Sequence, residues 1–255
     1  MKRGDSWLGV LPFVALVAAW WVASHSGRFS AGALPRPESV LAAARELAST
    51  GELQADVLAS LGRLVLGAGA SVLLGAGLGI LAGLNRFLGD LLLPLASFFS
   101  AVSGIAWIPL AIMWFGLGTV AVTFVIWNSI FFLVFFNTVL GVRSVPRIME
   151  QAVRTLGGGH RVLVLQVFLP GALPYIVSGI RTGLGFGWRA LIAAELIAAT
   201  SGLGFLIFDA SHYFRTDRIL VGIGGIGILW TLMDGAILGP LERRTVKRWG
   251  TVAEP

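Results

Sequence analysis

Residues 144–176 read SVPRIMEQAVRTLGGGHRVLVLQVFLPGALPYI. A helix starts naturally after Pro146, and Ile148, Met149, Ala152, Val153 and Leu156 follow at helical spacing. Gly157-Gly158-Gly159 then breaks it. A second helix over 160–168 carries Val162, Leu163, Leu165 and Val167 among few polar residues, and Pro170 and Pro174 end that piece and open a long apolar run. Helix, glycine turn and helix between two apolar runs make a rigid knob at a membrane surface. A knob of this kind can pass force from a partner to the spans it joins.

The rest of the chain fits that setting. Of its 255 residues, 56% are hydrophobic and 13% charged, and the mean hydropathy is +0.85. Soluble domains are about 45–50% apolar and about 25% charged. A soluble enzyme and a disordered chain are therefore excluded, and an integral membrane protein remains, all-α by its long apolar spans. A spanning helix takes roughly 20 apolar residues, so about six fit with short connections. The absence of cysteine removes disulfides, thiolate chemistry and cysteine-ligated metals. The net charge of +6 would point to nucleic acid in a soluble protein. Here it reflects bases retained on the cytoplasmic side, and no nucleic-acid partner is expected.

Hydropathy places the spans at about 7–24, 58–84, 88–102, 120–142, 173–199 and 219–238. The first resembles a signal peptide, but Trp20-Trp21 is too bulky for a cleavage site. Residues 104–118 are apolar but carry Pro109 and glycines. They read either as a short buried or re-entrant helix or as an extension of the third span. Residues 37–50 read as an amphipathic surface helix with Val40, Leu41, Ala44 and Leu47 on one side. Three blocks result: 1–56 with the first span and the external amphipathic segment, the core 57–240 containing the knob at 146–170, and a basic cytoplasmic tail at 241–255. With the N-terminus inside, cytoplasmic pieces hold 11 bases and external pieces 5. That bias supports N-in, C-in.

Gly67, Ser71, Gly75, Gly79 and Gly83 recur every fourth residue in the second span, and Gly227, Thr231, Gly235 and Gly239 in the sixth. Such stripes let backbones approach closely, within one chain or across a dimer seam. The G-x-G-x-x-G match at 222–227 lies in an apolar span without a βαβ unit and is no nucleotide fingerprint. Lys2 and Lys247 do not follow glycine, so no P-loop can be written. His25, His160 and His212 have no metal spacing, and no G-x-S-x-G elbow occurs.

The knob also carries a resemblance. Permease subunits of ATP-binding-cassette importers have a cytoplasmic motif EAA-x3-G-x9-I-x-LP. Here Gln151-Ala152-Val153, Gly157, Val167 and Leu169-Pro170 keep its spacing. Gln151 replaces Glu, with Glu150 one place early, and Val153 and Val167 replace Ala and Ile. The branch serving nitrate, taurine and alkanesulfonates is similar at further points. These are Leu34-Pro35-Arg36-Pro37, Ser60-Leu61-Gly62-Arg63, Ile108-Pro109-Leu110, Phe115-Gly116-Leu117-Gly118, Trp188, Ala193-Ala194-Glu195 and Gly202-Leu203-Gly204. The resemblance implies a type I importer permease fold in the bacterial inner membrane, surrounded by lipid. It implies a homodimer, two ATPase subunits holding ATP and Mg, and an external binding protein delivering a small anion. No cofactor, metal or catalytic site is expected in this chain. Glu150, Gln151, Ala152, Thr155, Leu156, Gly157, Gly158, His160, Leu169 and Pro170 would form the coupling element.

Arg63, Arg181, Arg189, Glu195 and Asp234 are charged residues within spans. Each costs at least ~2.5–3.5 kcal/mol at the membrane centre on insertion scales. Arg181, Trp188 and Glu195 are spaced to lie near one helix face, with Arg189 adjoining. Three arginines against two acids leave one positive charge. Either these groups pair and hold helices together, or Arg63, Arg181, Trp188, Arg189 and Glu195 line a pathway that attracts an anion. An autonomous channel or secondary transporter is the competing reading; an integral membrane enzyme lacks a catalytic constellation.

Overall fold

Apolar runs in a bilayer must satisfy their backbone internally, and these do so as helices. The computed structural model describes residues 11–30 and 32–240. The expected tail at 241–255, and Lys2 and Arg3 of the orientation count, lie outside the described residues. In order come α1 (Leu11–His25), α2 (Pro37–Ser49), α3 (Glu52–Leu84), α4 (Arg86–Ser100), a short turn of helix at Gly104–Trp107, and α5 (Ile108–Phe115). Then follow α6 (Thr119–Arg143), α7 (Arg147–Thr155), α8 (His160–Leu163), α9 (Leu169–Ala198), α10 (Leu203–His212) and α11 (Thr216–Met233).

Four helices among the described residues are long and apolar enough to span: Glu52–Leu84, Thr119–Arg143, His160–Ala198 and Thr216–Ala236. Arg86–Ser100 and Gly104–Phe115 form a pair bent by 84°, and α1 is a shorter apolar helix. The expectation of about six spans thus meets four long helices, one broken pair and one short helix. Residues 104–115 do not extend the third span in a straight line.

The prolines also act differently from expectation. Pro170 and Pro174 do not divide the knob from the next span, because α8 runs into α9 as one helix. The join is a π-helical turn at Val164–Phe168, where the N–H of Leu169 bonds to the carbonyl of Val164. A widened turn accommodates the ring and the missing donor of Pro170.

The centre of the fold is α6, with α3 on one side and α9 on the other. A Cβ built at Gly79 would lie 2.6 Å from the Thr138 Cβ and 2.9 Å from the Phe135 carbonyl. Ser71 Oγ donates to the carbonyls of Gly67 and Trp127 at 2.7 and 2.9 Å. The stripe on α3 is therefore a seam within the chain, not the face of a second copy. Another stripe, Gly179, Gly183 and Gly187 on α9, meets Asn137 and Ile130 of α6; the sequence reading missed it. Gly79→Leu should drive α3 from α6 and destabilise the permease by about 1–3 kcal/mol or more. Gly77→Leu points into open space and should not. Thermal unfolding in detergent separates the two.

On α2, Ala43 and Leu47 pack against Leu206 and Val221, with Val40 and Ala44 partly covered. Leu41, assigned from the sequence to the same side, is 53% exposed; the covered stripe runs through 40, 43, 44 and 47. Glu46 pairs with Arg218 at 2.9 Å, tying α2 to α11. Trp21 Nε1 donates to Glu38 at 3.2 Å. The Glu38 carboxyl is held below its usual range, first by a backbone N–H in the opening turn of α2 and further by that indole.

Candidate functional site

The knob is built by local backbone chemistry. Gly157 has φ +78°, and its N–H bonds to the Arg154 carbonyl at 3.0 Å while that of Gly158 bonds to Val153 at 2.8 Å. These two bonds form a Schellman cap, which needs glycine at the left-handed position. Gly158 is needed for space, because a Cβ there would meet Val153. No residue of α7 is buried. Ile148, Ala152 and Leu156 follow at i, i+4 and i+8 and are all exposed, Leu156 at 87%. Gln151, Thr155, Gly157 and His160 are exposed too, while Glu150, Gly158, Leu169 and Pro170 are half-buried. Glu150 is held by Arg154 at 2.8 Å. The base of the knob is tight: a Cβ at Gly141 of α6 would lie 3.1 Å from the Ala172 Cα of α9, and one at Gly171 would lie 2.8 Å from Val145. Displacing α7 therefore moves the ends of both helices.

Helix directions put a second cluster at the opposite end of the bundle. Arg63 and Glu195 are 3% and 0% exposed, and Arg63 Nη1 lies 2.7 Å from Glu195 Oε1. Arg63 also donates to the Ser201 carbonyl at 2.6 Å, Ser201 Oγ at 2.8 Å and Thr119 Oγ1 at 3.3 Å. Glu195 accepts from Ser60 at 2.8 Å and the Gly204 N–H at 3.0 Å. Asp56 accepts from the Gly202 N–H at 2.7 Å. The segment joining α9 to α10 is thus bolted to α3. Gly202, at φ +111°, and Gly204 leave the room Glu195 occupies.

The other intramembrane residues go elsewhere. Arg181 pairs with Asp234 at 3.1 Å. Trp188 is buried, its ring centroid 6.0 Å from that of Trp230. Arg189 is exposed to a cleft of about 580 Å³ walled by Ser103, Asn128, Ser129, Phe132 and Phe186. Its guanidinium lies 6.0 Å from the Phe186 ring centroid. The residues read as one helix face thus have three surroundings: Glu195 faces α3, Trp188 faces α11 and Arg181 the π-helical turn Asp234–Leu238 that follows it, and Arg189 faces the cleft. Asn128, which the sequence reading missed, is announced only by being an amide inside an apolar span.

Comparisons with known proteins agree with this architecture. Residues 75–238 match the family model of the binding-protein-dependent transport system inner membrane component. The chain is 36% identical over 250 residues to the taurine transport system permease protein TauC of Escherichia coli strain K12, covering 96% of this chain and 90% of that protein. It is 37% identical over 236 residues to the putative aliphatic sulfonates transport permease protein SsuC of the same organism, covering 92% and 89%. It is 34% identical over 178 residues to the bicarbonate transport system permease protein CmpB of Synechococcus elongatus, covering 69% and 64%. An inward-facing structure of the MetNI methionine ABC transporter shares the fold, with TM-score 0.63 at 17% identity over 74% of this chain and 95% of that one. Knob, helix order and relatives together place this chain in the family of binding-protein-dependent transport system inner membrane components, with the fold of a type I ABC importer permease.

Proposed function

We propose that this chain is one permease half of an ATP-driven importer of small oxyanions, working as a homodimer with both termini cytoplasmic. Two ATPase subunits, carrying ATP and Mg, dock on the two knobs, and an external binding protein delivers the solute. The observation that carries this reading is the exposed stripe Ile148, Ala152 and Leu156, capped at Gly157 and seated on α6 and α9. Closure of the ATPase pair would push the stripe, and the tight base would turn the push into a change of access between helices. The solute class is supported by relatives named for taurine, aliphatic sulfonates and bicarbonate, each of which carries an oxyanion group.

The test is reconstitution of the permease with its co-purified ATPase and binding protein. Labelled taurine, methanesulfonate and bicarbonate should enter proteoliposomes only with ATP inside the reaction and all three components present. Uptake by the permease alone without ATP would favour an autonomous channel or carrier.

A further inference from the structure

We propose that the Arg189 cleft is the subsite that holds the oxyanion head of the solute inside the membrane, with Arg189, Asn128 and Ser103 as its donors. The proposal rests on the importer reading and deepens it by assigning the contacts. Arg63 and Arg181 each have an acid, Glu195 and Asp234. The described residues supply none to Arg189, and no acid lines its cleft. An unpaired cation at membrane depth is costly and marks a solute path.

The other walls agree. Asn128 is 6% exposed, lies between this cleft and an apolar cavity walled by Trp107, Phe124 and Trp127, and its side-chain amide has no hydrogen bond to any described residue. Amides inside an apolar span are ordinarily satisfied by protein, and this one is left open to a partner. The Ser103 hydroxyl is likewise unengaged, whereas Ser129 has committed its proton to the Val125 carbonyl at 2.9 Å. Ser103 lies at the break between α4 and Gly104–Trp107, and irregular backbone at this depth is tolerated where it lines a cavity. A guanidinium fork matches an oxyanion's geometry and charge. Phe132 and Phe186 offer apolar walls to a short carbon body, and about 580 Å³ accommodates it.

The chain has no cysteine, so Ser103→Cys places a single thiol in the cleft. In the assembled complex, this thiol is titrated with anionic sulfonatoethyl and cationic trimethylammonioethyl methanethiosulfonate, each normalised to free cysteine. The anionic reagent should react roughly tenfold faster, since one sign of charge concentrates its counter-ion in a cleft. Methanesulfonate should slow the reaction and uncharged dimethyl sulfone should not. Adding Arg189→Gln should level the two rates; adding Arg189→Lys should keep the preference. Equal rates, equal protection by dimethyl sulfone, or no labelling by either reagent would overturn the subsite. The preference and protection are measured with Arg189 present, so they decide even where Arg189→Gln fails to assemble. ATPase co-purification and ATP-dependent uptake are scored on the complex with Ser103 and Arg189 unchanged. The importer reading therefore stands or falls separately.

Discussion

Arg63→Met should destabilise the permease by roughly 3–5 kcal/mol, the cost of removing one partner from a buried ion pair. Glu195 has no exposed surface, and without Arg63 its carboxylate keeps only Ser60 and the Gly204 N–H. Ser201 loses two donors as well. The damage should begin locally: amide exchange over residues 199–206 should quicken before the α3–α6 seam opens. Arg63→Lys keeps the charge but cannot reach Glu195, Ser201 and Thr119 with one fork, so its loss should be intermediate. Combining Arg63→Met with Glu195→Gln should recover part of the single loss, because the amide no longer strands a charge. Thermal unfolding and exchange measure both effects. A loss under about 1 kcal/mol would mean that the cluster does not hold this end together.

Arg63 and Glu195 were legible as buried charges because charge in an apolar span is conspicuous. Their pairing was not, since it depends on which helices α3 and α9 meet. The knob was legible almost to the residue because a glycine cap and an exposed stripe are local properties. Its continuity with α9 was hidden, because a proline ends a helix on paper and only the π turn before Pro170 shows how it is accommodated. The helix α10 was missed: a ten-residue segment is too short for a hydropathy window, and Leu203, Leu206 and Ala210 are buried only by the fold. The turn between α4 and α5 is not legible, because apolarity alone does not distinguish a straight span from one bent by 84°. Asn128 went unnoticed for a related reason. Its amide is informative only once the structure leaves it without a partner beside Arg189.

Leu156→Asp should separate the permease from its ATPase while leaving the permease folded. At 87% exposure the side chain contributes little to the isolated chain, and surface substitutions usually stay within about 0.5 kcal/mol. In the proposed complex it is the end of the apolar stripe, and a carboxylate there would be buried against the docked subunit. Central apolar anchors cost about 2 kcal/mol or more when lost, roughly 30-fold in affinity. An introduced charge adds desolvation to that. Unfolding in detergent should therefore match wild type, while ATPase recovered with the permease falls at least ~30-fold and uptake falls with it. Gly157→Val supplies the contrast. It keeps Leu156 but strains a backbone at φ +78°, so it should disturb the knob itself and quicken amide exchange across α7. Arg154→Ala breaks only the exposed pair with Glu150 and should change both readouts little. Full ATPase recovery with Leu156→Asp would place the docking surface elsewhere and leave the α7 stripe without its proposed partner.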